Sequence, residues 1–450
     1  MKLTNILVDG LFDRFTHDIP LNLKDRMTII IGPNGFGKTM ILRMINAFFN
    51  QSPIALANIP FRKLRLDFDN GSGVSVHRKS QGKVRERNAK VNIEMSYTER
   101  GHSPQHFTPT FDIHPEQLRF PIRAIEDIIP ELDQVEPQTW QHRGTGEMLS
   151  LAEVLDRYRD ELPLSESYHD PTTPDWLQTI RQAIPVRFIN TERLYTTPTR
   201  RRRPSPYPSY PPREPAVRRY SEELGEKIKQ TLTEYGSLSQ SLDRTFPARL
   251  VAEPAQPDVT MSDLRKELAD IEARRQQLIE AGLLSPEPSE WGGPPMPPLE
   301  KVDETRRGVL AVYAQDAQKK LSVFDDVFTK IDLFKKIVHA RFLHKSITVG
   351  QSGFGVMTSS GSQLDPVLLS SGEQHELVIL YELLFRVSKN SIILIDEPEI
   401  SLHVAWQDEF LKDLGQMAEL SQFHALVATH SPQIISDRWD LTVELKGPVE

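Results

Sequence analysis

"IIIGPNGFGKT", from Ile29 to Thr39, is the most informative stretch of this chain. It fits the pattern G-x-x-x-x-G-K-[ST], with an apolar strand pattern before it and a helix pattern after it. Glycines let such a loop curl so that backbone N–H groups point at phosphate oxygens, and the following helix adds its positive end. A glycine-rich turn without a ligand is the alternative, which the flanking strand and helix disfavour. The candidate nucleotide-binding residues are Gly32, Pro33, Asn34, Gly35, Phe36, Gly37, Lys38 and Thr39.

Lys38 and Thr39 have separate expected roles in this loop. We expect Lys38 to reach the β and γ phosphates of the nucleotide and the Thr39 hydroxyl to hold Mg²⁺.

A second motif, "SIILIDEPEISLH", ends an apolar strand in two acids. Because a carboxylate at the tip of a central parallel strand lies beside the phosphate loop, Asp396 is the second candidate Mg²⁺ ligand. Glu397 is the candidate catalytic base that orients and deprotonates water. The alternative is that the two acids only begin a helix. We interpret Glu399 as a solvated carboxylate.

Two further stretches are informative only in combination with the first two motifs. "LLSSGEQ", Leu368 to Gln374, is by itself a serine and glycine cap before a helix, about twenty residues ahead of the acidic strand. "ALVATHSPQII" is an apolar strand that ends in Thr429 and His430, where an imidazole could meet a γ-phosphate. A structural histidine is the alternative for His430.

Composition excludes several classes of protein. The chain has 450 residues, a formal net charge of -8, 26% charged and 38% hydrophobic residues, and no cysteine. It contains no apolar run near the roughly 18 residues of a membrane span, and its polar start does not look like a secretory signal. Without cysteine, disulfides and thiolate metal sites are excluded. We expect a cytoplasmic protein that makes no contact with membranes.

The pattern along the chain predicts an α/β fold split by a helical insertion. Strand patterns and one helix dominate the start, α/β character returns at the end, and helical stretches lie between them, including one from about Glu304 to His344. Two proline-rich segments, Thr197 to Pro215 and Ser285 to Pro298, cannot continue a helix. The predicted domains are an N-terminal lobe (1–196), a linker (197–215), a helical insertion (216–345) and a C-terminal lobe (346–450).

These four motifs, in this order, resemble the ABC-type ATPase heads of the Rad50, SMC, RecF and OLD group. "GPNGFGKT" resembles their Walker A motif, "LSSGEQ" their signature, "IILIDEPE" their Walker B motif and "VATHSP" their switch-histidine strand. "DEPEISLH" followed by "THSPQIIS" is most similar to the OLD-like branch. The motifs cover about the first fifty and the last ninety residues.

The resemblance implies ATP and Mg²⁺ as ligands, and a slow ATPase that works as a homo-oligomer. In such heads ATP lies between the Walker A loop of one protomer and the signature of another. It further implies that Ser371 and Gly372, with Glu373 nearby, cap the γ-phosphate of a partner's nucleotide, while Glu397 acts as base and His430 as sensor.

The expected lack of a nuclease domain narrows the class of protein that we predict. The chain ends twenty residues after His430, so we expect no Toprim nuclease domain. The layout resembles the ATPase subunits of bacterial anti-phage systems such as the PARIS type, which act beside a separate Toprim nuclease and answer to a phage protein. The alternative is a DNA-binding ATPase of repair or recombination.

Two smaller features leave their roles open. The basic run Arg200 to Arg203, with Tyr207 and Tyr210, could contact phosphates or an acidic trigger protein, or be a solvated linker. Arg193 of "TERL" could lie near the nucleotide or form a structural ion pair.

Overall fold

The computed structural model describes residues 1–50, 53–80, 91–109, 122–129, 131–144, 146–158, 162, 173–189, 195–196, 214–252, 260–285, 304–400 and 402–447. Its strands are β1 (Leu3–Leu11), β2 (Phe15–Pro20), β3 (Met27–Ile31), β4 (Lys63–Phe68), β5 (Gly73–Ser80), β6 (Val91–Thr98), β7 (Gln105–Phe107), β8 (Leu132–Glu136), β9 (Thr139–His142), β10 (Met148–Ser150), β11 (Val186–Ile189), β12 (Tyr195–Thr196), β13 (Glu214–Pro215), β14 (Lys345–Gly350), β15 (Gly353–Thr358), β16 (Gln363–Leu364), β17 (Ile392–Asp396), β18 (His424–Ala428) and β19 (Thr442–Glu444). Its helices are α1 (Lys38–Phe49), α2 (Pro53–Asn58), α3 (Ala124–Ile128), α4 (Leu151–Arg157), α5 (Asp175–Ala183), α6 (Ala216–Ala252), α7 (Met261–Ala281), α8 (Glu304–Ser322), α9 (Asp325–Arg341), α10 (Ser371–Phe385), α11 (Val404–Ser421) and α12 (Pro432–Ile435).

The chain divides into two compact units. Unit 1 contains Met1–Glu214 and Arg386–Glu450, and unit 2 contains Pro215–Phe385. The chain therefore leaves unit 1 and returns to it, and the predicted α/β class with inserted helices is confirmed. The predicted border at 345/346 stays a prediction.

A parallel sheet in the order β11-β17-β18-β3-β19 carries the site in unit 1. Its central strands are apolar on both faces: Ile392 and Leu394 belong to the core that also contains α1, while Ile393 and Ile395 are buried on the other side. Burial of both faces of the strands is typical of parallel sheets. Because the strands run in one direction, their carboxyl ends meet at one edge.

An antiparallel sheet, in the order β2-β1-β4-β5-β6-β7, completes the main core of unit 1. Ile6, Val8, Leu64, Leu66 and Val76 alternate with more exposed residues and are all fully buried, as expected for strands with one face on a core.

Residues 110–185 combine helices and strands. Their described part contains the three-stranded sheet β10-β9-β8, with Trp140 fully buried at its centre beside α3 and α4. A large aromatic core residue can hold a small sheet that local propensity does not favour.

Unit 2 combines the long helices with the antiparallel sheet β14-β15-β16 and with α10. The stretch from Glu304 to His344 is two helices, α8 and α9, rather than one. Phe324 lies at the break between them, is fully buried and packs on Tyr235. Since α8 has 19 residues, it is roughly 28 Å long, less than half of the roughly 60 Å that one continuous helix over this stretch would span. Across the described residues, none of the helices has the length and apolar character that crossing a membrane requires.

Candidate nucleotide site

The loop from Gly32 to Gly37 joins the end of β3 to the start of α1. Gly35 and Gly37 have φ values of 86° and 92°, in the left-handed region that glycine tolerates. A Cβ atom on Gly37 would lie 2.3 Å from Leu11 Cδ2, so this position also lacks space for a side chain. The loop therefore curls as the sequence predicted, and the first turn of α1 faces the carboxyl edge of the sheet.

Lys38 is buried within this loop and tied to it. Its ammonium donates hydrogen bonds to the carbonyl oxygens of Gly32 (2.9 Å) and Pro33 (3.4 Å) and contacts the His430 ring through Nε2. Burial lowers the Lys38 pKa, and the nearby carboxylates of Glu397, Asp396 and Glu399 partly oppose this effect. Lys38 thus lies among the acidic side chains of the site.

Thr39 and Asp396 form the candidate magnesium pair. The Thr39 hydroxyl donates to Asp396 Oδ1 at 3.1 Å, although 357 residues separate them in sequence. Burial raises the Asp396 pKa, and the neighbouring Glu397 charge adds to this, while the Thr39 hydrogen bond opposes it. A hydroxyl and a carboxylate side by side are the oxygen ligands that Mg²⁺ prefers, so these residues fit the ion.

Glu397 follows β17 in a strained conformation. Its φ is 45°, which is uncommon for a residue with a side chain, and its N–H donates to the Ala428 carbonyl at 2.8 Å. The carboxylate is 35% exposed and its Oε1 lies 3.8 Å from His430 Nε2. Glu397 is therefore fixed by β18 and still open to water.

Glu399 was missed by the sequence interpretation. Its Oε1 accepts hydrogen bonds from the Thr429 hydroxyl (2.8 Å) and the His430 N–H (2.9 Å), so describing it as a solvated carboxylate was wrong. No local pattern could have revealed these contacts, because the donors lie 30 and 31 residues further along the chain.

The candidate signature begins α10 in unit 2. Glu373 accepts from the Ser370 N–H (3.0 Å) and hydroxyl (2.8 Å), which makes a capping box, and it pairs with Lys345 at 2.7 Å. Burial alone would raise the Glu373 pKa, but the bonds from Lys345 and Ser370 together lower it. Its carboxylate is thus occupied within unit 2, while Ser371 is exposed at the helix start. Contact of Ser371, Gly372 and Glu373 with a partner's nucleotide stays a prediction.

Other sequence candidates lie outside the described residues. They are Arg193 with the rest of Thr191–Leu194, the run Arg200–Arg203, Tyr207 and Tyr210.

Within unit 1, the fold gathers Lys38, Thr39, Asp396, Glu397 and His430 at one sheet edge. A buried cation, a hydroxyl–carboxylate pair, a water-accessible carboxylate and an imidazole are the groups that phosphoryl transfer to water requires.

Comparison with known proteins agrees with this chemistry. A family profile described as "AAA domain, putative AbiEii toxin, Type IV TA system" matches residues 27–436. Protein ea59 of Escherichia phage lambda is 30% identical over 125 residues, which are 27% of this chain. The match spans about a quarter (24%) of the length of that phage protein.

Among solved structures, the chain is similar to heads of SMC proteins. The Pyrococcus furiosus Smc head domain, with an extended coiled coil and bound to the C-terminal domain of ScpA, has 13% identity and a TM-score of 0.34. That alignment covers 96% of this chain and 91% of the other. The SMC head domain from Thermotoga maritima has 12% identity and a TM-score of 0.33, with 100% of both chains covered.

Proposed function

Since this chain belongs to the family of AAA domains described as putative AbiEii toxins of Type IV toxin–antitoxin systems, we propose that it is an ATP-hydrolysing scaffold or sensor subunit of anti-phage defence. In this proposal it assembles through composite nucleotide sites and controls a separate effector. The effector is a Toprim nuclease of the AriB type, and this chain corresponds to the AriA-like ATPase of a PARIS system. A phage protein is the proposed trigger.

The observation that carries the ATPase proposal is the hydrogen bond between Thr39 and Asp396. It joins the phosphate loop to the acidic strand across 357 residues of sequence, and the closeness of a loop hydroxyl and a strand-end carboxylate supports the proposal that one ion binds both. A phosphate loop used only as a turn would not need this pair.

Each residue of the site has a separate task in hydrolysis. The loop from Gly32 to Thr39 binds the phosphates, and Lys38 exchanges its bonds to Gly32 and Pro33 for phosphate oxygens. Glu397 orients a water molecule and accepts its proton at Oε1. His430 moves from Lys38 to the terminal phosphate. Mg²⁺, when held by Thr39 and Asp396, supplies positive charge against the phosphate oxygens.

The division of the motifs between the two units supports the proposed assembly. Ser371 and Gly372 begin α10 with an exposed helix end, and such an end favours an anion. We propose that this end, with Glu373, closes the nucleotide site of a second copy. Hydrolysis is then slow, because each site needs two chains.

Glu397→Gln tests catalysis and assembly together. The amide keeps the size of the side chain but cannot accept a proton, so we expect ATP binding to persist and turnover to fall roughly 100-fold or more. The associated state should then accumulate, with a doubled mass in light scattering when ATP and Mg²⁺ are present. Normal turnover by this variant would refute the role of Glu397.

A matched control and a partner assay complete this test. Glu419→Gln changes an exposed glutamate of α11 and should leave turnover and mass unchanged.

Co-purification of a Toprim nuclease encoded by the adjacent gene would support effector control. Tight, salt-sensitive binding of duplex DNA by this chain alone would instead favour the DNA-repair class.

A further inference from the structure

We infer that Glu399 is a positioning residue for His430. Its carboxylate accepts hydrogen bonds from the Thr429 hydroxyl and the His430 main-chain N–H and thereby sets the imidazole between Lys38 and Glu397. This inference rests on the proposed ATPase function and adds a residue to the site that the phosphate loop, the magnesium pair and the base do not include.

One oxygen of Glu399 holds two consecutive residues. Oε1 accepts from the Thr429 hydroxyl at 2.8 Å and from the His430 N–H at 2.9 Å. Thr429 is fully buried, and its hydroxyl oxygen also accepts from the Ser431 N–H at 2.9 Å. Because a single acceptor oxygen is bonded to two consecutive residues, Glu399 anchors the turn that leaves β18.

Gln407 of α11 braces the same two turns. Its amide Nε2 donates to the carbonyl oxygens of Glu399 (3.3 Å) and Leu402 (3.4 Å), and its Oε1 accepts from the Ser431 hydroxyl (3.3 Å). Gln407 is only 7% exposed. The acidic turn after β17 and the histidine turn after β18 are thus joined by two side chains, and their relative position is fixed.

The position of the imidazole depends on this anchor. His430 contacts Lys38 through Nε2, and the same nitrogen lies 3.8 Å from Glu397 Oε1. If the main chain at His430 moved by an ångström or more, the ring would lose this position beside Glu397 and would be displaced from the terminal phosphate that we propose it reaches. Misplacement on this scale is enough to lower turnover about 100-fold.

The second oxygen of Glu399 suggests that the charge matters less than the shape. Oε2 is buried and, within the described residues, accepts no hydrogen bond. Glutamine at this position retains a carbonyl oxygen for Thr429 and His430, so Glu399→Gln is the conservative variant. Glu399→Ala removes the acceptor altogether. Glu419→Ala, at an exposed position of α11, is the matched control.

Hydrogen exchange of the His430 amide tests the anchor in the full-length protein without nucleotide. We expect exchange to speed up about tenfold or more in Glu399→Ala, because the N–H loses its acceptor. Glu399→Gln and the Glu419→Ala control should stay within about threefold of the unsubstituted protein. An unchanged His430 exchange rate in Glu399→Ala would overturn the inference.

A double-mutant cycle on kcat tests whether Glu399 acts through His430. We expect Glu399→Ala to lower kcat about tenfold or more, with KM within about twofold of the unsubstituted protein. Glu399→Gln should retain most of the original kcat. In a His430→Ala background, Glu399→Ala should cause no further loss of kcat. If the decreases in kcat caused by the two substitutions multiplied in the double variant, the inference would be overturned, since Glu399 would then act independently of His430. If the unsubstituted chain failed to hydrolyse ATP, the proposed function would fail, and the exchange experiment would still decide the anchor.

Discussion

Lys38 shows how one side chain prepares the site for a nucleotide. Its ammonium is held by the loop carbonyls of Gly32 and Pro33 and by the His430 ring. A buried ammonium needs such partners, because leaving water without them is costly. The phosphates of a nucleotide are stronger partners than carbonyl oxygens, so in the proposed function we expect binding to exchange these contacts and to free His430.

Lys38→Ala should therefore abolish most nucleotide binding. Losing one buried charge-assisted contact to phosphate costs about 3 kcal/mol or more, which is roughly 100-fold in affinity. Isothermal titration with a non-hydrolysable ATP analogue measures this loss. Lys24→Ala, at an exposed turn of unit 1, should bind like the unsubstituted protein. Equal affinity of the Lys38 and Lys24 variants would contradict the assignment of the loop.

At the scale of elements, the end of α7 depends on a glycine. Gly282 caps the helix with a φ of 85°, and its N–H donates to Ile279. A Cβ atom there would lie 1.8 Å from the Val349 carbonyl oxygen of β14. The conformation and the close approach both require glycine, so α7 can end against β14 only with this residue.

Gly282→Ala should destabilise unit 2 by about 2 kcal/mol or more, since strain at positive φ adds to the clash with Val349. Gly308→Ala is the matched control: Gly308 lies in α8 with nothing within 4 Å of its added Cβ, and alanine there should stabilise by about 0.5–1 kcal/mol. Urea unfolding of both variants measures the two changes. Equal midpoints would show that the end of α7 tolerates a side chain.

The boundary between α8 and α9 shows what periodicity cannot predict. The apolar spacing from Glu304 to His344 fits a continuous helix, yet the chain turns before Asp325. Phe324 gains complete burial and a contact with the Tyr235 ring at this turn. Burying an aromatic side chain outweighs the few backbone hydrogen bonds that the break loses.

Across the whole molecule, the two edges of the parallel sheet differ in chemistry. The carboxyl edge carries the site, while His424 lies at the amino end of β18, buried and with Nε2 unpaired among the described residues. Burial lowers the His424 pKa from 6.5 to about 4, and the nearby charges of Arg26 and Lys2 add to this effect. The folded protein therefore holds this imidazole neutral.

Stability should fall in mild acid because of His424. Its pKa is lower in the folded than in the unfolded protein, so the unfolded chain binds a proton first as the pH drops below 6.5. The stability present above pH 6.5 is lost progressively down to pH 4, by about 2 kcal/mol between pH 7 and pH 5. Urea unfolding at these two pH values measures the loss.

His424→Gln should remove the part of this loss that comes from His424, whatever its effect on stability at pH 7, while His17 and His375, whose pKa values burial also lowers, retain theirs. His102→Gln, at an exposed turn of unit 1, is the control and should retain the loss. If the His424 variant lost as much stability as the unsubstituted protein, the acid sensitivity would come from other groups.

Several local parts of this protein can be predicted from short stretches of sequence. The phosphate loop, α1, β17 and β18 depend on neighbouring residues, because glycines set the loop conformation and short apolar runs set buried strands. Lys38, Thr39, Asp396, Glu397 and His430 could therefore be named as candidates before the fold was known.

Which of these residues meet depends on the fold of the whole chain. The order β17-β18-β3 brings Thr39 to Asp396, Lys38 to His430 and Glu399 to the turn after β18, across 357, 392 and 30 residues of sequence. Strand order follows from how the apolar faces of the whole sheet are buried between helices, which no local pattern contains. For that reason the sequence could place Glu397 at a strand end, but it could not show that Glu399 holds the histidine beside it.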